Sequence, residues 1–263
     1  MKQTKLPNGD MIYSIDKLSA IDVYEEIYED NVYLLNDIQL HAGDVVFDVG
    51  ANIGLFSKFA SEKFPDLKIY AFEPIPQIFE AMNANLKDKP NIKMYNIGLS
   101  DSEKDAEFNY YPKVSADSTS NPFDMEKQID LFLQSYNKRA AKILPKKALR
   151  YIIGKKLKSM YKTVKITCPL RTLSQMIEEN HVEKIDLLKL DAENAERQVL
   201  AGIKDADWEK IKQVAMEIHT TSPDGETLVD DICDLFEAKG FKYVLDTKSR
   251  FSFIGVHMFY AKR

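Results

Sequence analysis

Short apolar runs and longer segments with helical spacing alternate along most of this chain. The apolar runs predict strands at Val45–Val49, Lys68–Phe72, Ile92–Ile97, Ile185–Leu190 and Gln213–Ile218. The intervening segments predict helices at Ile53–Lys63, Pro76–Leu86, Ala195–Ile203 and Gly225–Lys239. Strands and helices that alternate in this way build a largely parallel sheet with helices on both faces, so the pattern predicts an α/β fold.

The two ends of the chain carry other patterns. Apolar side chains recur at helical spacing within the first 40 residues, at Ile21, Tyr24, Ile27 and Tyr28. Residues 1–40 are therefore predicted to be helical, and Tyr33 is interpreted as part of their apolar core. At the other end, Lys242–Leu245 and Gly255–Ala261 predict two strands that close the sheet as a hairpin.

Residues 113–162 interrupt the alternation with a basic segment that holds 12 Lys and Arg against 4 Asp and Glu. Its apolar positions fall on one face of two amphipathic helices, at Met125, Ile129, Phe132, Leu133, Tyr136, Ile143 and Leu144, then, beyond Pro145, at Leu149, Ile152, Ile153 and Leu157. The segment predicts an inserted helical cap. Its charge suits either an ordinary solvated surface or a face that meets an acidic partner.

Composition excludes several classes of function. The net charge of −5 over 263 residues gives no global basis for nucleic-acid binding. No stretch approaches the roughly 20 apolar residues of a membrane span, and the N-terminus lacks the pattern of a signal peptide. Cys168 and Cys233 lack metal-ligand spacing and are interpreted as reduced residues, so we expect a cytoplasmic protein.

The motif with the clearest chemistry follows the first predicted strand. Asp48, Gly50, Asn52 and Gly54 form an Asp-x-Gly-x-Asn-x-Gly turn that leads into a helix. Glycines let the backbone approach a ligand, and a helix N-terminus offers free N–H groups. Asn52 stands where a dinucleotide motif has its second close-approach glycine, which favours a ligand with an amino-acid moiety over a pyrophosphate.

A ribose site is predicted at the end of the second strand. Glu73 lies there, 19 residues after Gly54, and its carboxylate can accept hydrogen bonds from both ribose hydroxyls. The turn Leu99–Asp101 follows the third strand, and we expect Leu99, Ser100 and Asp101 to border the adenine. The chain thus divides into an N-terminal helical segment (1–40), a cofactor-binding half (41–112), a basic insert (113–162) and a second half (163–263).

Candidate catalytic residues lie at two later strand ends. Asp191 and Glu193 follow one strand, and Glu217 and His219 end the next. His219 could remove a proton from an alcohol, since its ordinary pKa lies near neutrality, with Glu217 or Asp191 orienting the ring. Asp191, Glu217 and His219 could alternatively hold a divalent metal of the Mg²⁺ or Mn²⁺ kind. Buried Lys189 is expected to pair with Glu193 or Asp186.

These motifs resemble the FkbM-type methyltransferase family. The residues that carry the resemblance are 46–54, 72–74, 98–101, 186–196 and 217–219. Further sequence segments are similar to family members that are embedded in, or encoded beside, polyketide and peptide synthases. The resemblance implies a Rossmann-like class I methyltransferase fold with a seven-stranded, mostly parallel sheet, and S-adenosylmethionine as cofactor. Asn194 replaces the family's usual glycine, and asparagine tolerates the left-handed backbone that such a turn needs.

The resemblance also implies the reaction. We expect methyl transfer to a hydroxyl of a polyketide or peptide intermediate, free or bound to an acidic acyl or peptidyl carrier protein. One alternative is a sugar or lipid-headgroup methyltransferase. A catalytically silent docking module is the alternative from another class. The acceptor, the choice of oxygen over nitrogen or carbon, metal dependence and oligomeric state are left open by the sequence.

Overall fold

The computed structural model of the chain describes residues 1–122, 124–135, 145–221, 225–249 and 252–263. Tyr136, Ile143 and Leu144, predicted on the apolar face of the insert, lie outside these ranges. Within the described ranges, no helix combines the length and apolar character needed to span a bilayer.

The described strands, numbered along the chain, are β1 (Lys2–Lys5), β2 (Met11–Ser14), β3 (Val45–Val49), β4 (Lys68–Phe72), β5 (Ile92–Tyr95), β6 (Gly98–Leu99), β7 (Lys104–Tyr110), β8 (Val164–Arg171), β9 (Leu187–Leu190), β10 (Gln213–His219), β11 (Lys242–Asp246) and β12 (Val256–Lys262). The α-helices are α1 (Lys17–Tyr24), α2 (Leu55–Lys63), α3 (Pro76–Leu86), α4 (Met125–Ser135), α5 (Lys146–Met160), α6 (Leu173–Glu179), α7 (Glu196–Ala201), α8 (Asp205–Trp208) and α9 (Gly225–Ala238).

A seven-stranded sheet in the order β11-β12-β10-β9-β3-β4-β5 confirms the predicted α/β fold. Its pairs are parallel except those that β12 makes with β10 and β11, so the closing hairpin is confirmed as well. The chain runs outward from β3 through β4 to β5, then returns to β9 on the other side. Adjacent β3 and β9 therefore mark the switch point where parallel sheets bind ligands.

Alternating side chains give the sheet two apolar faces. On β3, Val46 packs into one cluster with Leu187, while Phe47 packs into the other with Leu188. Burial on both faces explains why these strands appear in the sequence as nearly continuous apolar runs.

The prediction that residues 1–40 are helical throughout is wrong for residues 1–16 and for residues 35–40, which form no helix. Strands β1 and β2 pair antiparallel, and the buried hydroxyls of Thr4 and Ser14 are 2.8 Å apart. Gly9 supplies the turn with φ +96°, a conformation that helical residues do not adopt. After α1, a π-helical turn (Glu25–Glu29) and a 3₁₀ turn (Val32–Leu34) continue the segment.

A second sheet, in the order β6-β8-β7, was not predicted. Strand β7 pairs antiparallel with β8 along its whole length. Pro169 lies within β8 and removes one backbone donor, which weakens the sequence signal for a strand. This sheet places the Gly98–Asp101 turn beside the switch point.

The insert forms the two predicted amphipathic helices as far as the structure describes them. Helices α4 and α5 bury Ile129 against Leu149, Ile153 and Leu157. Ile152, predicted on the same apolar face, is instead 50% exposed. Arg150 bridges them by ion pairs with Glu126 and Asp130, so part of the basic charge is used within the insert itself.

Candidate functional site

Two cavities meet at the carboxyl ends of β3 and β9. The larger has a volume of about 470 Å³ and the smaller about 320 Å³. Their common walls come from Gly50, Asn52, Ala116, Asp191 and Glu193. A ligand in one cavity can therefore reach the other across the turn that follows β3.

The larger cavity brings together most of the predicted cofactor residues, namely Gly50, Asn52, Glu73, Leu99, Ser100, Asp101 and Asp191. The Glu73 carboxylate accepts backbone N–H groups of Asn52, at 3.1 Å, and Ile75, at 2.9 Å. Burial raises the pKa of Glu73 to about 7 even though both hydrogen bonds act in the opposite direction. Each carboxylate oxygen keeps a further lone pair that can accept a ligand hydroxyl.

Asp48 and Gly54 occupy different positions from those predicted. Among the described residues, neither belongs to the walls of the two cavities. Asp48 is fully buried and accepts a 2.6 Å hydrogen bond from Ser57. Gly54 has φ +82°, and a side chain there would come within 2.7 Å of Leu86. Both residues support the turn from behind, outside the described cavity walls, and their direct contact with a ligand stays a prediction.

The backbone N–H groups of this turn form hydrogen bonds within the protein. The N–H groups of Gly50 and Ala51 donate to Phe72, that of Asn52 donates to Glu73, and that of Gly54 donates to Ala51. These N–H groups of the turn are therefore not free for a ligand, whereas the expectation of free N–H groups at the N-terminus of α2 stays a prediction. The protein itself satisfies the N–H groups of the turn, which suits a ligand without a phosphate group.

Gly50 fixes the contact between β3 and β9. It has φ +71°, and a Cβ built on it would lie 1.7 Å from the Asp191 carbonyl oxygen. No side chain fits there, so the backbones after the two strands can touch only at a glycine.

Lys189 pairs with other partners than predicted. Its Nζ donates to the Gly50 carbonyl at 2.7 Å and lies 3.3 Å from Asp48 and 3.6 Å from Asp191. The register places Asp48 directly beside Lys189 on the neighbouring strand. Predicted pairing with Glu193 or Asp186 is wrong because the sheet, rather than proximity in sequence, selects the partner.

His219 lines the smaller cavity and is oriented by a residue that the sequence analysis did not assign. Its Nδ1 lies 2.7 Å from Glu196, a fully buried carboxylate on α7, while Nε2 lies 3.4 Å from Glu193 and 3.8 Å from Glu217. The prediction that Glu217 or Asp191 orients the imidazole is corrected, since Glu196 forms the close contact. Glu196 lies on α7, and its position in the sequence did not indicate this role.

Buried carboxylates surround this histidine and set its charge. Burial alone would lower the pKa of His219, but the charges of Glu193 and Glu196 raise it well above the ordinary value. Burial and the neighbouring Asp191 raise the pKa of Glu217 to about 7. Burial likewise raises the pKa of Glu193 well above the ordinary value. The imidazole is therefore a strong base when it is neutral.

Tyr33 belongs to the site rather than to a helical core alone. Its hydroxyl contacts Glu217 by a short hydrogen bond and lies 3.3 Å from Asp191. Its ring also packs 5.1 Å from the Lys189 ammonium group. A tyrosine of the N-terminal segment thus contacts two carboxylates at strand ends, Asp191 and Glu217. No sequence motif identifies this residue.

The alternative metal site is geometrically compatible with the structure. Ligand atoms of Asp191, Glu217 and His219 lie within 4.8 Å of one another. Two carboxylates and one imidazole suit a divalent ion of the Mn²⁺ kind.

Comparison with known proteins identifies the family. The profile of the methyltransferase FkbM domain matches residues 48–243. The chain is 32% identical to the 31-O-demethyl-FK506 methyltransferase FkbM of Streptomyces tacrolimicus, over 98% of this chain and 96% of that protein. It is 34% identical to the AMB antimetabolite synthetase AmbE of Pseudomonas aeruginosa over 91% of this chain, but it spans 11% of the synthetase's length.

A solved structure supports the fold. The crystal structure of methyltransferase FkbM from Methylobacillus flagellatus is similar with a TM-score of 0.53 at 12% identity, over 90% of this chain and 47% of that chain. On these matches and on the site just described, the chain belongs to the FkbM methyltransferase family and is an S-adenosylmethionine-dependent methyltransferase.

Proposed function

We propose that this enzyme transfers a methyl group to a hydroxyl of a small natural-product intermediate. The observation that carries the proposal is the position of His219. Its Nε2 side lies toward the smaller cavity, its Nδ1 is held by Glu196, and the cavity adjoins the larger one at Gly50 and Asp191. A base placed where two ligand sites meet is what methyl transfer to an alcohol requires.

The larger cavity fits S-adenosylmethionine by size and chemistry. Its volume of about 470 Å³ lies within the range of small-molecule sites. Glu73 would accept the ribose hydroxyls, while the Leu99–Asp101 turn would border the adenine. Gly50 and Asp191, shared with the smaller cavity, would hold the amino-acid part. The bound cofactor supplies an electrophilic methyl group on a sulfonium centre.

The residues of the smaller cavity would act on the acceptor. Glu196 favours the tautomer that carries a proton on Nδ1, which leaves the Nε2 lone pair to accept the hydroxyl proton. Glu193 and Glu217 would then stabilise the resulting imidazolium. Helices α4 and α5 contribute Gln128, Phe132 and Met160 to this cavity, so the insert would help to exclude water.

Metal assistance is the second candidate mechanism, favoured by the clustered ligand atoms of Asp191, Glu217 and His219. An ion there would lower the pKa of the acceptor hydroxyl. A chelator separates the two mechanisms.

The relatives support the natural-product setting. One is named as a 31-O-demethyl-FK506 methyltransferase and another as an antimetabolite synthetase. A free or carrier-bound intermediate of such a pathway is the proposed acceptor, with a sugar or lipid headgroup as the alternative. For a carrier-bound acceptor, the exposed lysines of α5 would meet the acidic carrier protein.

The cofactor assignment predicts that Glu73→Ala weakens S-adenosylmethionine binding about 10-fold or more. The variant loses hydrogen bonds to a charged acceptor, worth roughly 1.5–3 kcal/mol each. Calorimetry on folded protein measures the change, with exposed Glu80→Ala on α3 as the matched control. Unchanged affinity in Glu73→Ala would refute the ribose role.

The base assignment predicts that His219→Asn lowers kcat by about 10²–10⁴-fold with little change in cofactor affinity. The raised pKa of His219 leaves little neutral imidazole at low pH, so wild-type kcat should rise as pH increases above the ordinary histidine value of about 6.5. His41→Asn, at a site 71% exposed, is the control. Full activity in His219→Asn contradicts the role; inactivation by a chelator with rescue by Mn²⁺ selects the metal mechanism instead.

The carrier proposal predicts that reversing the charges of Lys146, Lys147 and Lys155 raises KM for a carrier-bound acceptor. An increase of about 10-fold is expected from lost electrostatic steering, with KM for a small soluble analogue unchanged. Arg150 is left intact because it joins α4 to α5. Reversal of exposed Lys87 and Lys242 elsewhere is the control, and equal effects on both acceptors would refute docking at α5.

A further inference from the structure

The smaller cavity changes in character between its inner and its outer end. Its floor, defined by Glu217 and His219 at the end of β10, is polar and almost closed to solvent, since these residues are 7% and 5% exposed. Toward solvent, Leu18 of α1 and Phe253 of the 3₁₀ turn Ser252–Ile254 are 49% and 46% exposed. The cavity therefore opens beside apolar side chains, while its reactive groups lie inside.

Apolar residues predominate around this opening. The mouth comprises the described wall residues of α1, α4, α5 and the 3₁₀ turn that are at least partly exposed. Six of them are apolar, namely Leu18, Val23, Phe132, Met160, Phe253 and Ile254, and two are polar, namely Asp22 and Gln128. Exposed apolar groups gathered around a pocket are typical of ligand-binding grooves, because an apolar ligand removes their contact with water.

Buried apolar residues extend this lining beyond the mouth. Ile27, Phe56 and Val114 belong to the same cavity wall, and each is 5% exposed or less. They come from the π-helical turn, from α2 and from the segment before the 3₁₀ turn Ser115–Asp117. The apolar lining is therefore built by several distant segments and is not confined to the exposed residues.

The insert is tied to the segment that follows His219. Just before α4, the Asp124 N–H donates to the Thr221 carbonyl at 3.2 Å. In the first turn of α4, the Lys127 ammonium group donates to the Thr220 carbonyl at 2.7 Å. Both bonds hold the start of α4 close to the strand end that carries the imidazole.

Further contacts fix the other ends of the two insert helices. Phe132, near the end of α4, packs edge-to-face on Phe253 with 6.1 Å between the ring centroids. Met160 ends α5, and directly after it the Tyr161 hydroxyl donates to Asp117. A mouth held by these contacts is largely preformed, so it can select acceptors with little rearrangement.

This lining discriminates between the acceptors that the proposed function leaves open. A sugar buries several hydroxyl groups, and each needs a hydrogen-bond partner to offset the water it loses. The six apolar side chains of the mouth offer none. An apolar ring or chain needs no such partner, and every part of its surface that leaves water favours binding.

We propose that the acceptor is an alcohol whose reactive hydroxyl is attached to an apolar ring or chain. The hydroxyl meets His219 at the floor, while the apolar body lies against Phe132, Met160 and Phe253 in the mouth. The inference rests on the proposed function and adds a substrate class to it, apolar alcohols, together with the residues that select them. Sugars and other polyols are poor acceptors in this arrangement.

Two sets of acceptors test this class. The first set, 1-butanol, 1-hexanol and 1-octanol, differs only in apolar length. In the second set, cyclohexylmethanol and methyl β-D-glucopyranoside each present a primary hydroxyl on a six-membered ring, which is apolar in the first and hydroxylated in the second. Calorimetry measures binding to the whole chain saturated with S-adenosylhomocysteine, and mass spectrometry measures methyl transfer from S-adenosylmethionine.

Affinity should rise about 4-fold for each methylene group that the mouth buries, and cyclohexylmethanol should bind about 10-fold more tightly than the glucoside. The double variant Leu18→Gln/Met160→Gln preserves side-chain length and helix propensity but makes the mouth polar. Its gain per methylene should fall below about 2-fold, with the melting temperature and the affinity for S-adenosylhomocysteine unchanged. The matched control Met11→Gln/Leu35→Gln changes exposed apolar residues outside both cavity walls and should keep the full gain.

The proposal is overturned if none of the apolar alcohols binds at millimolar concentration or if the glucoside binds as tightly as cyclohexylmethanol. A gain per methylene that is missing, or that survives Leu18→Gln/Met160→Gln, also overturns it. Methyl transfer tests the underlying function separately. Binding that depends on chain length but yields no methyl ether would contradict hydroxyl methylation while supporting apolar recognition. Methyl transfer to the glucoside alone would support hydroxyl methylation and overturn the apolar class.

Discussion

The buried ion pair between Lys189 and Asp48 is the constraint on which the site depends. It joins two neighbouring parallel strands at the switch point, and the same ammonium group donates to the Gly50 carbonyl and approaches Asp191. Burying two charges is favourable only when both are paired and hydrogen-bonded, so the geometry tolerates little displacement. The turn after β3 and the first residue after β9, which border both cavities, are thereby held together.

The charged residues around this pair fall into two groups, one structural and one functional. Asp48 and Glu196 are fully buried behind the wall and hold Lys189 and His219 in place. Within the wall of the smaller cavity, Glu26, Glu193 and Glu217 have raised pKa values because burial and the charges of neighbouring carboxylates act together. Such a cluster costs folding stability, and a positively charged ligand would relieve the repulsion. An active site that sacrifices stability for ligand binding in this way is common among enzymes.

Much of the fold followed from the sequence because β3, β4, β9 and β10 are buried on both faces and are separated by helices of ordinary length. The β1–β2 hairpin and the β6-β8-β7 sheet did not follow. Strands β1, β2 and β6 are short, β7 and β8 are largely exposed over their first half, and β8 contains Pro169. Most residues predicted to bind the cofactor line the larger cavity, because each of them ends or directly follows a strand. The contacts of Glu196 and Tyr33 join distant segments, which spacing along the chain does not encode.

The division of work between the two cavities is the central claim, and a crystal structure of the complex with S-adenosylhomocysteine tests it most directly. We expect the ribose hydroxyls to contact Glu73 in the larger cavity and the sulfur to lie at the common edge near Gly50 and Asp191. His219 should keep its Nδ1 contact with Glu196 and point Nε2 toward the empty acceptor site. Adenosine bound in the smaller cavity, or an imidazole turned away from Glu196, would contradict the account.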